Sequence, residues 1–193
     1  MKVIGIGGSL RKNSNSEYYV RYTLDKLAAE GLETEYISLL DRTIKPCRGC
    51  YGCREAKKCT QEDDHFAPIF DKMYEADGII VGSPVYYSSA SPQLMALLDR
   101  AGFSSRFSGK FFSRKVGAPI TVARRAGHNL AFAQLLMWYY INDMIIPGNT
   151  YWNVATAGSG GARDPEGDRE AHDILDNFAR NMAWLMKKIK PES

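Results

Sequence analysis

Short apolar runs alternate along the chain with longer stretches whose apolar positions recur at helical spacing. Residues 3–6 read as a buried strand, and residues 16–30 as a helix carrying Tyr19, Val20, Thr23, Leu24 and Leu27 on one face. Residues 34–39 predict a second strand. Residues 66–75 predict a second helix, with Glu62, Asp63 and Asp64 placed to favour its N-terminus. A third strand over 79–81 lies between Asp77-Gly78 and Gly82-Ser83-Pro84, and a helix over 92–101 has proline in its first turn. A fourth strand over 116–122 leads to a strongly apolar helix over 128–141. Residues 144–146 predict the start of a short fifth strand. A glycine-rich loop over 157–161 then leads to a last helix over about 165–189.

Alternation of this kind implies an α/β fold: a parallel sheet with helices on both faces and ligands at the carboxyl ends of the strands. The 193 residues suit a single domain spanning 1–193. The one long connection, about residues 40–64, is a candidate functional insertion. With 45% hydrophobic and 24% charged residues the composition is that of a soluble globular protein. The net charge of +3 is too small to argue for nucleic acid or a membrane surface. No apolar run approaches the ~20 residues that span a bilayer, and the opening MKVIGIGGSL is unlike a signal peptide. A reducing cytoplasm is therefore expected, where clustered cysteines suggest metal or redox chemistry more than disulfides.

The first loop, residues 7–16, brings together hydroxyls, an amide, two cations and a coming helix N-terminus. That combination suits a phosphate, and equally a polar turn with Ser14 or Asn15 as a helix cap. It has neither the Walker nor the dinucleotide glycine spacing. Two motifs in order, GSLRKNSNS after the first strand and SPVYYSSASPQLMALLDR after the third, resemble the flavodoxin-like NAD(P)H-dependent FMN reductases over roughly residues 1–150. The resemblance implies a three-layer fold, with a five-stranded sheet in the order 2-1-3-4-5 and FMN at its carboxyl edge. By position, Ser9, Arg11, Ser14, Asn15 and Ser16 would hold the FMN phosphate. Pro84, Val85, Tyr86, Tyr87 and Ser88 would meet the flavin ring, and Ala123, Arg124 and Gly127 would complete the ring site. Which tyrosine touches flavin is open, and Arg124 and Arg125 also read as solvated loop arginines. Asp99-Arg100 matches the family's usual pair and reads as a helix-end salt bridge or cap. His128 reads as a helix-start residue. The aromatic excess of residues 130–146 suits core and a subunit interface, and the resemblance implies a homodimer or homotetramer.

All four cysteines lie in the long connection, as Cys47, Cys50, Cys53 and Cys59. The C-x2-C-x2-C-x5-C run suits thiolate ligation of a four-iron cluster, with Gly49 and Gly52 permitting tight wrapping. Lys45, Arg48, Arg54, Lys57 and Lys58 would offset its negative charge. Zinc, a dithiol switch and metal-free thiols stay open. The spacing also matches the iron–sulfur flavoproteins, a branch of the same family that passes electrons between flavin and a 4Fe-4S cluster in the adjoining subunit. These readings lead to an FMN oxidoreductase with NAD(P)H as co-substrate and small-molecule or protein acceptors, needing no catalytic side chain because the cofactor carries the chemistry. The rivals are a flavodoxin-like carrier docking ferredoxin without NAD(P)H activity, a cluster-free FMN or quinone reductase, and a cysteine-based sensor.

Overall fold

The computed structural model describes residues 1–189. Five strands, β1 (Lys2–Gly7), β2 (Glu33–Ser38), β3 (Gly78–Pro84), β4 (Val116–Ala123) and β5 (Val154–Thr156), form one sheet in the order β2-β1-β3-β4-β5. Every pairing is parallel. Parallel neighbours need crossover connections, here supplied by helices on both faces. Period-two alternation sorts the strand residues: Ile4, Ile6, Ile79 and Val81 join one buried cluster, Val3, Ile80, Ile120 and Val122 the other. The first cluster is covered by α3 (Phe66–Glu75), α4 (Pro92–Phe107) and α5 (His128–Ile141), through residues such as Phe66, Leu97 and Leu135. The second is covered by α1 (Asn15–Ala29) and α6 (Arg169–Ile189), through Val20, Leu27, Phe178 and Met182. A short helix, α2 (Cys53–Ala56), lies inside the long connection after β2. Among the described residues, no helix is long and apolar enough to cross a membrane.

The fifth strand departs from the sequence expectation. Residues 144–146 supply only one bridge, Ile145 beside Val116, with Ile145 N–H donating to Lys115 and Gly117 N–H donating to Ile145. Pro147 and Gly148 then turn the chain away, because proline has no N–H for the next rung. Pairing resumes at Val154, opposite Thr121, nearer the carboxyl edge. The helix over 92–101 also continues to Phe107. Arg100 is therefore mid-helix, and the helix-end capping role for Asp99-Arg100 does not hold. Its ion-pair role does, with Asp64.

Pro119 stands opposite Val81 in the sheet interior, where it removes a donor. On the same stretch of β3, the buried Tyr139 hydroxyl donates to Ile79 O at 3.2 Å and accepts from Val81 N at 3.2 Å. Burial pushes that phenol far above its ordinary pKa, so it stays a neutral donor. Removing the hydroxyl strips partners from two buried backbone groups. Tyr139→Phe should cost about 1–3 kcal/mol in urea unfolding, with an unchanged denaturant slope.

Candidate functional site

Loops after β1, β3, β4 and β5 enclose a cleft of about 440 Å³ at the carboxyl edge of the sheet, within the roughly 300–1,000 Å³ of small-molecule sites. The first loop is held from beneath. Gly8 N–H donates to Gly82 O at 2.7 Å, and Ser91 Oγ donates to Gly8 O at 2.7 Å. Ser14 is the N-cap of α1, its hydroxyl accepting from Glu17 N–H at 3.1 Å and lying 3.3 Å from Ser16 Oγ. The helix therefore opens towards the cleft with its positive end. Ser9 is buried and its hydroxyl accepts from Arg11 N–H, whereas the Arg11 and Lys12 side chains are exposed on the cleft wall.

The structure gathers Ser9, Arg11, Ser14, Asn15, Ser16, Pro84, Val85, Tyr86, Ala123 and Arg124 around this cleft. Tyr87, Ser88 and Gly127 are not on its lining. Tyr86 and Ser89 exchange backbone hydrogen bonds around a two-residue turn in which Tyr87 and Ser88 have positive φ, which carries the Tyr87 ring fully into solvent. Val85 N–H ties this turn to Val122 O, and Gln134 Oε1 accepts from Ser89 Oγ and Ala90 N–H. Gly127 (φ +90°) packs behind the turn, where an added Cβ would fall 2.9 Å from Ser88 Oγ. Ser88 and Gly127 thus shape the wall from outside the lining. His128 opens α5 and accepts at its carbonyl from Thr121 Oγ1.

The fourth wall comes from Ala157, Gly160, Gly161 and Arg163, which the sequence reading passed over as a connecting loop. Asn15 explains its placement. The Asn15 amide donates to Ala162 O at 3.0 Å and accepts from Asp164 N–H at 3.1 Å, while buried Tyr19 donates to Pro165 O at 3.1 Å. Both polar atoms of the Asn15 side chain are thus engaged in clasping this loop. The available sequence signal was position: a glycine-rich segment with an arginine, leaving a strand at the carboxyl edge.

The four cysteines line one smaller cavity, together with Arg48, Tyr51, Arg100 and Phe103. All four are free thiols, with Cys53 buried, Cys50 exposed and Cys47 and Cys59 between. As they stand, no three His, Cys, Asp or Glu side chains among the described residues converge tightly enough for a single metal ion. Gly52 lets the Thr60 side chain pack close, since a Cβ here would overlap Thr60 Oγ1 and force that side chain to turn away. The Gly52 amide, hydrogen-bonded to Cys50, holds that thiol below its ordinary pKa; burial pushes the Cys53 thiol up. Tyr51 packs edge-on against Phe103, and Arg54 stacks over Tyr51 and Phe107, fastening the loop to α4. Arg100 rises from α4 into the loop and pairs with Asp64. Burial alone would raise Asp64, but bonds from Lys45 N–H, Arg100 and Phe66 N–H more than offset it and keep the carboxyl below its usual range.

The sequence profile of a family described as NADPH-dependent FMN reductase matches residues 1–159. The chain belongs to this family. An iron-sulfur flavoprotein of Methanocaldococcus jannaschii is 41% identical over 98% of this chain and 100% of its own. An iron-sulfur flavoprotein of Methanosarcina thermophila is 32% identical over 94% and 98%. RosB with bound 8-demethyl-8-formylriboflavin-5'-phosphate superposes with a TM-score of 0.78 at 16% identity, covering 100% of this chain and 82% of that one. A flavodoxin from the domain Archaea gives 0.62 at 14% identity over 97% and 99%. These two structural likenesses establish a flavodoxin-like fold. Arg163, and Ala162 and Asp164 that Asn15 clasps, lie beyond residue 159, where the match to the FMN reductase family ends.

The clasp can be tested without any ligand. Asn15→Ala should remove the partner of Asp164 N–H and one of the two donors to Ala162 O, which keeps Gly158 N–H, costing about 1 kcal/mol. Hydrogen exchange should quicken at Asp164 and its neighbours and stay unchanged in β1 and β3.

Proposed function

We propose that this chain binds FMN in the carboxyl-edge cleft and acts as an FMN oxidoreductase. It would take electrons from NAD(P)H or a protein donor and pass them to a quinone-like, flavin or protein acceptor. The observation that carries this reading is the charge of the lining: Arg11, Lys12, Arg124 and Arg163 face the cleft, and among the described residues no carboxylate does. Four cations beside the N-terminus of α1 favour an anion, and a monophosphate is the anion FMN offers. Arg11, Lys12, Arg163 and the Ser14 and Ser16 hydroxyls suit the phosphate end. Pro84, Val85, Tyr86 and Ala123 suit the ring, where Arg124 would favour an anionic reduced form. FMN would supply the hydride and electron chemistry, so the side chains bind and orient, and none is assigned as acid, base or nucleophile.

Cys47, Cys50, Cys53 and Cys59 form an all-sulfur donor set around one cavity, which fits a 4Fe-4S cluster, and the names of the relatives support it. Such a cluster would supply one-electron steps. A second reading, an electron carrier docking an acidic protein such as ferredoxin, is favoured by exposed Arg48, Arg54, Lys57 and Lys58 around that cavity.

Protein purified anaerobically should carry about one FMN, four iron and four sulfide per chain. Arg163→Ala should weaken FMN binding to the stripped protein about tenfold while leaving riboflavin, which lacks the phosphate, unchanged. Absence of flavin binding and of NAD(P)H oxidation with every acceptor overturns the oxidoreductase. Fast reduction by ferredoxin with negligible NAD(P)H turnover selects the carrier.

The chain is also proposed to form a homo-oligomer. α5 is apolar on all sides, and Leu130, Met137, Tyr140 and Ile141 are exposed on it. Light scattering should give a multiple of the 21.6 kDa chain mass. Met137→Glu with Ile141→Lys should shift it to monomer without loss of helical signal.

A further inference from the structure

A single buried guanidinium spans the cysteine connection, and we infer that Arg100 is a positioning residue that raises the reduction potential of an iron–sulfur group held by the four cysteines. The inference rests on the cluster reading above. Arg100 Nη1 donates to Lys45 O at 3.2 Å and to the Asp64 carboxylate, at the two ends of the connection. Nη2 donates to Gln61 O at 2.8 Å and to Cys59 Sγ at 3.4 Å. The Phe66 ring lies 3.9 Å from the guanidinium carbon, and the residue is 1% exposed. Nε, also buried, has no partner among the described residues.

Reduction of an iron–sulfur group adds negative charge to its sulfurs. An N–H donor to a ligating sulfur therefore stabilises the reduced form more than the oxidised one, and hydrogen bonds to sulfur are a recognised control of cluster potential. Burial strengthens the effect, since solvent does not screen this donor. Asp64 offsets the net charge of Arg100 but bonds through Nη1, leaving the Nη2–H dipole aimed at Cys59. The other cations of the connection are placed differently. Arg48, Arg54, Lys57 and Lys58 are exposed, Arg54 stacks over Tyr51 and Phe107, and Lys57 donates to Phe107 O. Water and salt screen their charge.

A purely mechanical fastener would hold the loop and leave the potential alone, and this difference decides the matter. The test compares the wild type with Arg100→Lys, which keeps the charge and loses the fork. A second variant, Arg100→Gln with Asp64→Asn, removes both charges together, so that no buried charge is stranded. Arg54→Gln is the control for a charge of the same connection that is exposed and screened by solvent. Each protein is purified anaerobically, its iron and sulfide are quantified, and the iron–sulfur electron paramagnetic signal is followed through a redox titration. The expected result is an equilibrium shift towards the oxidised form of about tenfold in the double variant, ~59 mV for one electron. Arg100→Lys should move the same way by less, and Arg54→Gln should titrate with the wild type. Loaded Arg100 variants with the wild-type midpoint overturn the inference and leave the cluster reading standing. An equal shift in Arg54→Gln overturns it as well. A wild type that takes up neither iron nor sulfide overturns the cluster reading, and the inference with it.

Discussion

Parallel pairing is the constraint on which the rest of this molecule depends. Because all five strands run the same way, the loops after β1, β3, β4 and β5 emerge at one edge. Each crossover helix then starts at that edge, which is why α1 presents its N-terminus to the cleft. Nothing in the individual loops would bring Arg11, Arg124 and Arg163 together. Arg11 lies more than a hundred residues from the other two in sequence, and only a common strand direction makes the three neighbours. The cost of concentrating positive charge at one place is offset by local bonds that each loop makes to the next, such as Gly8 to Gly82, Val85 to Val122 and Asn15 to Ala162.

The cysteine connection answers to a different rule. It leaves the sheet after β2, at the edge of the order, and among the described residues it has no strand partner to define its shape. A buried charge supplies the definition instead. A buried guanidinium is costly unless most of its donors are matched, and the groups that match Nη1 and Nη2 of Arg100 come from Lys45, Cys59, Gln61 and Asp64. Satisfying one side chain thereby folds a long loop. The aromatic clasp of Tyr51 and Arg54 on Phe103 and Phe107 fixes the remaining part against the same helix.

Sequence periodicity revealed four strands and every α-helix of the described residues except the four-residue α2, because each of these buries one face and burial leaves a repeat. The fifth strand was misplaced because two segments share the edge beside β4. Residues 144–146 have the stronger apolar run yet stop at Pro147, whereas the three residues Val154–Thr156 make the longer pairing. At the cleft, the first loop was legible as a lining segment from its local density of hydroxyls and cations. Asn15 was legible as polar and near the site, but its clasp on Ala162 and Asp164 spans almost 150 residues and leaves no local pattern. Arg163 was missed for the same reason. Arg100 was recognised as one half of an ion pair, but its contact with Cys59 needed the loop to be folded back over α4. Of the two tyrosines in the loop after β3, the turn directs Tyr87 into solvent and leaves Tyr86 on the cleft, a choice set by positive φ at Tyr87 and Ser88 that sequence spacing does not show.

One rigid element joins the two sites. The N-cap of α4, Ser91, donates through its hydroxyl to Gly8 O and through its amide to Ser83 Oγ, so the helix begins locked to the loops of the cleft. Nine residues on, the same helix carries Arg100 into the cysteine cavity, followed by Phe103. At 1.5 Å per residue that is about 14 Å of helix axis. Helix length therefore fixes the spacing between cleft and cavity, and loop motion does not. A helix that is pinned at both ends and buried along Leu94, Leu97, Leu98 and Ala101 has no hinge of its own. Any change in the distance between cleft and cavity within one chain must then come from the cysteine connection, whose shape rests on Arg100.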